Sequence, residues 1–406
     1  MTRPPETRLA EAKRALVFST ELPPGPGGVG THAQQVAVQL TGRGWQLEVL
    51  APQGGASKAE ISDWKTRQPM PVRTLRRRGP ALLRSLQWTF ALLAACRRRR
   101  PRVVLVSGRR AVWLASAVLP WLRIPFVSVA HGFEFGVRSR IARWRNRRSY
   151  RRASAVVTVS AYTRQRMLDS GVKPQRELTI PHGADAGTYS QLSAAGLADF
   201  RSRDLIAQPD RRLLITLGRV GRRKGQDLVV RALATLQADH PDLHYVLIGV
   251  PERDGEIEAL AAELGVADRV HLLGRLGQET IRAHLSSADL FVMPSRHTED
   301  GEFDGYGIAV LEAALCGLPA VVTGDSGLAE AVEPGETGLV VPPDDVEALA
   351  RALGELLNDG PRRRDMAERA RDSALAHKTW RRRGGEYDRL LDDIAGFPQS
   401  PSGDGR

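Results

Sequence analysis

The chain of 406 residues is 42% apolar and 26% charged, a globular composition that is too long for one ordinary domain and predicts two. No apolar stretch reaches the roughly 18 residues of a transmembrane helix, and the first residues lack the apolar segment of a secretion signal, which favours the cytoplasm. The net charge of +13 is unevenly divided: residues 1–195 contain 33 Lys and Arg against 10 Asp and Glu, a net of +23, which leaves −10 for the remainder.

Short apolar runs alternate with helical patterns through the basic half. A strand is predicted over 14–20, a helix over 31–40 and a strand over 47–51, a unit typical of a doubly wound parallel sheet. Residues 186–205 are interpreted as an irregular linker. Further strands are predicted over 103–106, 126–130, 156–159 and 178–180.

The same alternation restarts after this linker, so the fold class is α/β with two Rossmann-like halves in tandem. The tail, residues 396–406, has few apolar residues and is predicted to be disordered. Strands are predicted over 213–217, 245–248, 270–273, 290–293, 320–322 and 338–341, and helices over 228–238, 256–264, 344–358 and 362–376.

A glycine loop follows the first strand and matches the dinucleotide fingerprint as Gly25-x-Gly27-x-x-Gly30. That fingerprint also needs an acid at the end of the second strand to hold a ribose, but this strand ends Ala51-Pro52-Gln53, with Glu48 inside it. We therefore do not favour NAD binding. The loop is interpreted as one that lets a ligand approach the backbone, and a simple flexible turn is the alternative.

A basic turn follows the first strand of the second half. Gly218-Arg219 and Lys224-Gly225 place two cations five residues apart at the start of a helix, an arrangement that suits a diphosphate. The order of a Walker loop is absent. A solvated basic turn is the alternative, since Arg222 and Arg223 lie between the two cations.

Two carboxylates flank a glycine-rich turn near the C-terminal third. The glycines allow close approach of a ligand, and the start of the following helix offers unpaired N–H groups to an anion. We expect a small-molecule site here. The segment runs Asp304-Gly305-Tyr306-Gly307-Ile308 and continues as an apolar helical run to Glu312.

Two histidines follow strands of the first half. His131 comes at the carboxyl end of strand 126–130, where open α/β sheets bind ligands, and His182 lies in a turn that marks the end of the first domain. A lone histidine is usually structural, so even in this context the residues alone leave both interpretations open.

Together these motifs resemble the retaining GT-B glycosyltransferases of the family-four group, through most of the chain. The family commonly has Glu where Asp304 stands; Glu302 is a neighbouring alternative, and the spacing to Glu312 favours Asp304. The matching motifs are Gly27-Gly28-Val-Gly30, His131-Gly132, Val159-Ser160-x-x-Thr163, Ile180-Pro181-His182-Gly183-x-Asp185, Gly218-Arg219 to Lys224-Gly225, and the paired acids.

The resemblance implies a division of labour between two Rossmann-like domains that face a cleft. Residues 1–190 would bind the acceptor and residues 191–375 the nucleotide sugar, with a helix in 376–395 crossing back to the first domain. No metal or further cofactor is expected, because cations would neutralise the diphosphate. The stretch from Pro294 to Asp304 resembles users of GDP-mannose more than users of UDP-hexoses.

The resemblance also implies roles for individual residues. Arg219 and Lys224 would hold the diphosphate and stabilise the leaving group, and Glu312 would bind the ribose. Asp304 would hold a donor-sugar hydroxyl, and His131 would lie beside the anomeric centre. The remaining donor-binding residues would act through the backbone or by allowing close approach: Gly28, Gly30, Gly305, Tyr306, Gly307 and Ile308.

The basic half is then expected to meet the acceptor. Arg76-Arg-Arg and the arginines of 97–100 flank an apolar segment with Trp88 and Phe90, and a second basic run covers 138–152. This pattern predicts an amphipathic helix on anionic lipid at the cytoplasmic leaflet and a lipid-linked or membrane-proximal glycan acceptor; packing of the segment on the sheet is the alternative. We do not expect nucleic-acid binding, since no recognition motif is present. A GT-B epimerase or phosphorylase is the nearest enzymatic alternative.

Overall fold

The structure is a computed structural model that describes residues 12–25, 27–136, 139–299 and 301–398. Within these residues the strands form two sheets, and every pairing between neighbouring strands is parallel. This confirms the predicted doubly wound α/β class.

The first sheet has the order β3-β2-β1-β4-β5-β6-β7 within the described residues. Its central strands are buried along their whole length, which explains why they are continuous apolar runs in the sequence. The strands are β1 (Arg14–Ser19), β2 (Gln46–Pro52), β3 (Val72–Leu75), β4 (Val103–Ser107), β5 (Phe126–Ala130), β6 (Ala155–Thr158) and β7 (Glu177–Thr179), and the helices are α1 (Gly28–Thr41), α2 (Lys58–Thr66), α3 (Ala81–Arg99), α4 (Arg109–Val118), α5 (Arg140–Tyr150) and α6 (Ala161–Asp169).

The second sheet, over the same described ranges, has the order β10-β9-β8-β11-β12-β13. Its strands are β8 (Arg212–Leu217), β9 (Leu243–Ile248), β10 (Val270–Gly274), β11 (Leu290–Met293), β12 (Ala320–Thr323) and β13 (Gly338–Val341). The helices that follow α6 are α7 (Ala194–Arg203), α8 (Gln226–Leu236), α9 (Glu256–Glu263), α10 (Gln278–Ser287), α11 (Ile308–Leu315), α12 (Val346–Asn358), α13 (Gly360–His377) and α14 (Trp380–Ala395).

The strand order of each sheet reverses once, between β1 and β4 in the first sheet and between β8 and β11 in the second. Ligands of open α/β sheets bind at such switch points, beyond the carboxyl ends of the strands. The two switch points are therefore the places where the fold itself predicts ligand sites.

The last helix, α14, returns to the first domain and packs against α1. The hydroxyl of Tyr387 lies 2.9 Å from Nε2 of His32, and the indole N–H of Trp45 donates to Asp388 over 2.7 Å. These polar contacts tie the C-terminal end of the chain to the basic half.

Two predictions about irregular segments were wrong in part. The interval 186–205 contains α7, which begins at Ala194. Ser193 caps this helix, since its side chain accepts a hydrogen bond from the Gly196 N–H. In the tail, Phe397 is ordered because it packs edge-on against Trp45, with ring centroids 5.9 Å apart. Residues 399–406 of the predicted disordered tail lie outside the described residues.

Candidate functional site

The second switch point holds a buried cluster of charges around Asp304. Its carboxylate accepts a hydrogen bond from Lys224 Nζ over 3.0 Å and also contacts the guanidinium of Arg223 and the hydroxyl of Ser295. Asp304 is only 6% exposed. Lys224 and Arg223 come from the loop after β8, and Asp304 and Ser295 from the loop after β11, so the cluster joins the two loops at the strand reversal.

The turn that carries the cations is held in place by the loop opposite. Residues 222–224 form one turn of 3-10 helix that ends at Gly225, whose φ of 72° is left-handed. A Cβ on Gly225 would lie 2.1 Å from the Pro294 carbonyl oxygen, so only glycine allows this approach. Arg296 Nε donates to the Arg222 carbonyl over 2.8 Å while its other nitrogens pair with Asp227 and Asp344.

The charges of the cluster set its ionisation. Burial alone would raise the pKa of Asp304, but Lys224, Arg223 and the hydrogen bond from Ser295 outweigh burial and bring it to about 2. The carboxylate is therefore ionised at neutral pH. Because its pKa lies below the ordinary value, its contribution to stability is complete above about pH 4 and is lost as the pH falls through about 2.

The cations outnumber the carboxylate, so the cluster keeps an excess of positive charge. Burial lowers the pKa of Lys224, Asp304 opposes this effect, and repulsion from Arg223 and Arg219 adds to it. Arg219 is close enough for that repulsion but is more than half exposed, and its Nη1 lies 3.7 Å from Oε1 of Glu252. An anionic group beside Lys224 would relieve the repulsion.

The second acid of the predicted pair, Glu312, lies on α11 beside Tyr189 of the segment that joins the domains. Burial raises the pKa of Glu312 to about 7, Asp185 adds to the shift, and the adjacent Tyr189 hydroxyl opposes it. The structure thus gives the two acids different surroundings, since Asp304 is paired with cations and Glu312 with a phenol.

The turn between the acids brings the two domains together. A Cβ on Gly305 would lie 2.0 Å from the carbonyl oxygen of His131. The turn at 304–307, called the acid turn, therefore packs directly on the loop that begins at His131, called the histidine loop. Gly307 precedes α11, and Ile308 begins it. The side chain of Tyr306 is buried in the core, which leaves only its backbone to face a ligand.

The glycine loop of the first domain lies opposite this helix start. A Cβ on Gly28 would lie 3.9 Å from Cδ1 of Ile308, so the N-termini of α1 and α11 meet across the cleft. Both termini carry partial positive charge. Gly30, by contrast, packs within its own loop, where a Cβ would lie 3.0 Å from the backbone nitrogen of Leu22.

His131 lies at the end of β5, where its Nε2 is 2.7 Å from the Ser107 hydroxyl. Its ring stacks on His182 with centroids 5.6 Å apart and meets His32 edge-on at 5.1 Å. Burial lowers the pKa of His131 to about 3, so the imidazole is neutral at physiological pH. It can act as a hydrogen-bonding group there and contributes no positive charge.

The sequence predicted no individual site role for Arg223, Ser295 or Arg296, although all three help to build the site. Ser295-Arg296 lies one residue beyond β11, and a polar pair after a strand at a switch point is the signal that could have found these two residues. Glu48, the acid nearest the place of a dinucleotide-binding acid, is buried and paired with Arg98 and Arg99, which agrees with the rejection of NAD binding.

Comparison with known proteins adds two family matches, Glycosyltransferase Family 4 over residues 26–187 and Glycosyl transferases group 1 over residues 199–373. A relative from Mycolicibacterium smegmatis, a GDP-mannose-dependent alpha-(1-6)-phosphatidylinositol monomannoside mannosyltransferase, is 31% identical over 93% of this chain and 97% of its own. A GDP-mannose-dependent mannosyltransferase from Corynebacterium glutamicum, which acts on monoacylated phosphatidylinositol monomannoside, is 26% identical over 94% and 99%.

Solved structures share the fold. HepE of Anabaena, solved in complex with UDP-glucose, superposes with a TM-score of 0.79 at 20% identity, over 93% of this chain and 99% of that one. Two Rossmann-like domains facing a basic cleft, with these matches, define a glycosyltransferase of the GT-B class. The chain belongs to Glycosyltransferase Family 4. The epimerase and phosphorylase alternatives are not favoured.

The surroundings of Asp304 and Glu302 generate a paired prediction. Replacing Asp304 by Asn leaves Lys224 buried without its counter-charge, so we expect Asp304→Asn to lower the free energy of unfolding by about 3 kcal/mol. Glu302 is exposed, and we expect Glu302→Gln to change it by less than about 0.5 kcal/mol. Urea denaturation followed by circular dichroism measures both. Equal midpoints for the two variants would contradict the ion-pair assignment.

Proposed function

We propose that the protein transfers mannose from GDP-mannose to a lipid-linked glycan, with retention of anomeric configuration. The observation that carries the donor half of the proposal is the excess of positive charge around Asp304, because a diphosphate leaving group needs compensating charge in a partly buried site. The full-length likeness to GDP-mannose-dependent mannosyltransferases supports the choice of base and sugar.

Different residues bind different parts of the donor in this proposal. Lys224, Arg223 and Arg219 hold the diphosphate, with the N-termini of α1 and α11 adding fixed partial positive charge. Asp304 fixes the Lys224 ammonium and presents its remaining acceptor capacity to a hydroxyl of the sugar. These cations do the work of a divalent ion, so the proposed reaction is independent of metal.

Glu312 accepts hydrogen bonds from the ribose hydroxyls in this proposal. Because its pKa is raised to about 7, a ligand that needs the carboxylate favours the ionised form and binds better above that pH. His131 lies on the opposite side of the contact between the domains, and as a neutral imidazole it can accept or donate a hydrogen bond at the anomeric centre.

The acceptor half of the proposal rests on the surface of the first domain. Helix α3 buries Trp88, Ala91, Leu92, Ala95 and Cys96 against the sheet, which is the packing alternative, yet a second stripe of the same helix faces outward. This outward stripe consists of Leu82, Leu83, Leu86 and Phe90, with Leu82 71% exposed and Phe90 67% exposed. The inner face of α3 therefore packs on the sheet, and the exposed outward stripe supports the membrane proposal.

Further exposed apolar side chains lie on a nearby helix of the same domain. Helix α4 packs between α3 and α5, and α5 exposes Ile141 and Trp144. Arginines flank the stripe at 76–78 and 97–100. Exposed apolar side chains bordered by cations fit the interface of an anionic bilayer. On this basis we propose peripheral binding at the cytoplasmic leaflet. Among the described residues no helix is both long and apolar enough to cross a membrane.

A transfer assay tests the enzymatic proposal. Purified protein is incubated with EDTA, labelled GDP-mannose or UDP-glucose, and vesicles that contain a phosphatidylinositol mannoside. We expect label from GDP-mannose in the lipid fraction and at least ~10-fold less from UDP-glucose, since the two donors differ in both base and sugar contacts. Transfer only after Mg²⁺ is restored, or only from UDP-glucose, would contradict the proposal.

Vesicle co-sedimentation tests the membrane surface. At low salt we expect binding to vesicles that contain anionic lipid, and the double variant Leu83→Ser/Phe90→Ser should bind about 10-fold or more weakly, because each side chain contributes roughly 1.5–3 kcal/mol on burial. Leu205, 79% exposed and in the second domain, supplies the control Leu205→Ser. Failure of the wild type to bind, or equal binding by all three proteins, would reject this surface.

A further inference from the structure

The first switch point, between β1 and β4, holds a pocket that the donor site does not use. It lies beyond the carboxyl ends of these strands and has a water-accessible volume of about 310 Å³, a size suited to a small ligand. Thr20 and Glu21 after β1 and Phe133 after β5 form its inner wall. The outer walls come from the segment before α3 and from α3 and α4, and they carry Arg77, Arg84, Trp88, Arg109, Arg110 and Trp113. We call this the arginine pocket.

The arginine pocket is strongly cationic. Four guanidinium groups line it against one carboxylate, Glu21, and within the described ranges none of the four makes a salt bridge. Nη1 of Arg110 is buried with no hydrogen-bond partner among the described residues. Burial, together with repulsion from Arg84, Arg109 and Arg145, lowers the pKa of Arg110. Arg84, Arg109 and Arg110 are half-buried and Arg77 is exposed, so a ligand can reach all four guanidinium groups. A bound anion would relieve the repulsion between them and give Nη1 of Arg110 a partner.

Aromatic side chains hold the pocket in shape. Arg110 lies over the ring of Trp88 at 5.9 Å, and Arg109 over the ring of Trp113 at 5.8 Å. Both indole N–H groups are already used, since Trp88 donates to the Arg76 carbonyl over 2.9 Å and Trp113 to Asn146 over 2.7 Å. The rings are therefore fixed before any ligand arrives and present flat apolar walls beside the cations.

The arginine pocket lies between the proposed reaction centre near His131 and the proposed membrane surface on α3. Phe133 on its inner wall is two residues from His131, and Gly108, which precedes Arg109, follows the Ser107 that hydrogen-bonds His131. On the outer side, Arg84 and Trp88 belong to α3, whose outward stripe is the proposed membrane surface. A molecule in the pocket can thus reach from the lipid interface to the reaction centre.

We infer that the arginine pocket binds a phosphate group of the acceptor and so positions the acceptor's sugar hydroxyl toward His131. Arginine suits this task because its planar fork donates two parallel hydrogen bonds to phosphate oxygens. The inference rests on the proposed function for the identity of the second substrate. The phosphate can belong to a lipid headgroup as a phosphodiester or to a free sugar phosphate as a monoester.

Isothermal titration calorimetry with water-soluble probes tests this inference. The probes are glycerophosphoinositol for the phosphodiester, myo-inositol 1-phosphate for the monoester, and myo-inositol as the neutral control. We expect the wild type to bind at least one phosphate probe and to show no binding of myo-inositol at the same concentration. Tighter binding of the diester indicates a lipid headgroup, and tighter binding of the monoester indicates a free sugar phosphate.

Charge-matched variants locate the binding. The double variant Arg84→Gln/Arg109→Gln should lower the affinity for the phosphate probe by about 10-fold or more, since each lost charge-assisted hydrogen bond is strong. The control Arg231→Gln/Arg351→Gln removes two exposed charges of the second domain and should bind as the wild type does. Equal affinity in the pocket variant, or no saturable binding of either phosphate probe by the wild type, overturns the inference.

Binding of GDP, measured in the same proteins, separates this inference from the donor proposal. The pocket variant should retain the GDP affinity of the wild type, which also shows that it is folded. Loss of phosphate binding with GDP binding intact supports the pocket. If the wild type binds the phosphate probe and fails to bind GDP, the donor proposal falls while the pocket stands.

Discussion

The buried ion pair between Asp304 and Lys224 is the interaction on which the rest of the site depends. It joins the loops that follow β8 and β11, so it fixes the geometry of the second switch point. Arg223 pairs with the same carboxylate, so two cations share one anion and the cluster has a net positive charge. A site that is already ordered and still cationic is ready for a diphosphate without further reorganisation.

The second constraint is the contact between the domains. The backbone of Gly305 lies against the carbonyl of His131, so the acid turn and the histidine loop hold each other in register. Glu330 of the second domain accepts hydrogen bonds from the first amides of α6, at Ala161 and Tyr162. Both domains therefore contribute residues at one place in the cleft, where the proposed reaction brings the donor phosphate and the acceptor hydroxyl together.

Apart from β3, the sequence predicted the strands of both sheets, and the structure brings Lys224 and Asp304 of the predicted site together. Buried parallel strands are continuous apolar runs, which is why β4, β5 and β11 could be read directly. Helix α6 was not predicted, although the Ser160 side chain caps its start by accepting a hydrogen bond from the Thr163 N–H. Short polar helices give weak periodicity, so a cap is often their best signal.

The sequence did not predict which of the neighbouring arginines contacts Asp304. Arg219 and Arg223 lie in the same basic turn, yet only Arg223 contacts Asp304, because the 3-10 turn at residues 222–224 aims it inward. Val220 pairs with Pro251, which keeps Arg219 beside Glu252 instead. Likewise, the arginines of the first domain form a pocket only through the strand order that brings β1 beside β4.

Direct titration of nucleotides tests the central claim that the Asp304 cluster is a diphosphate site. Calorimetry in EDTA compares GDP with UDP in the wild type and in Lys224→Ala, which leaves Arg223 on the carboxylate. We expect tighter binding of GDP than of UDP, and a loss of about 10-fold or more in GDP affinity in the variant. Wild-type affinity for GDP in Lys224→Ala would contradict it.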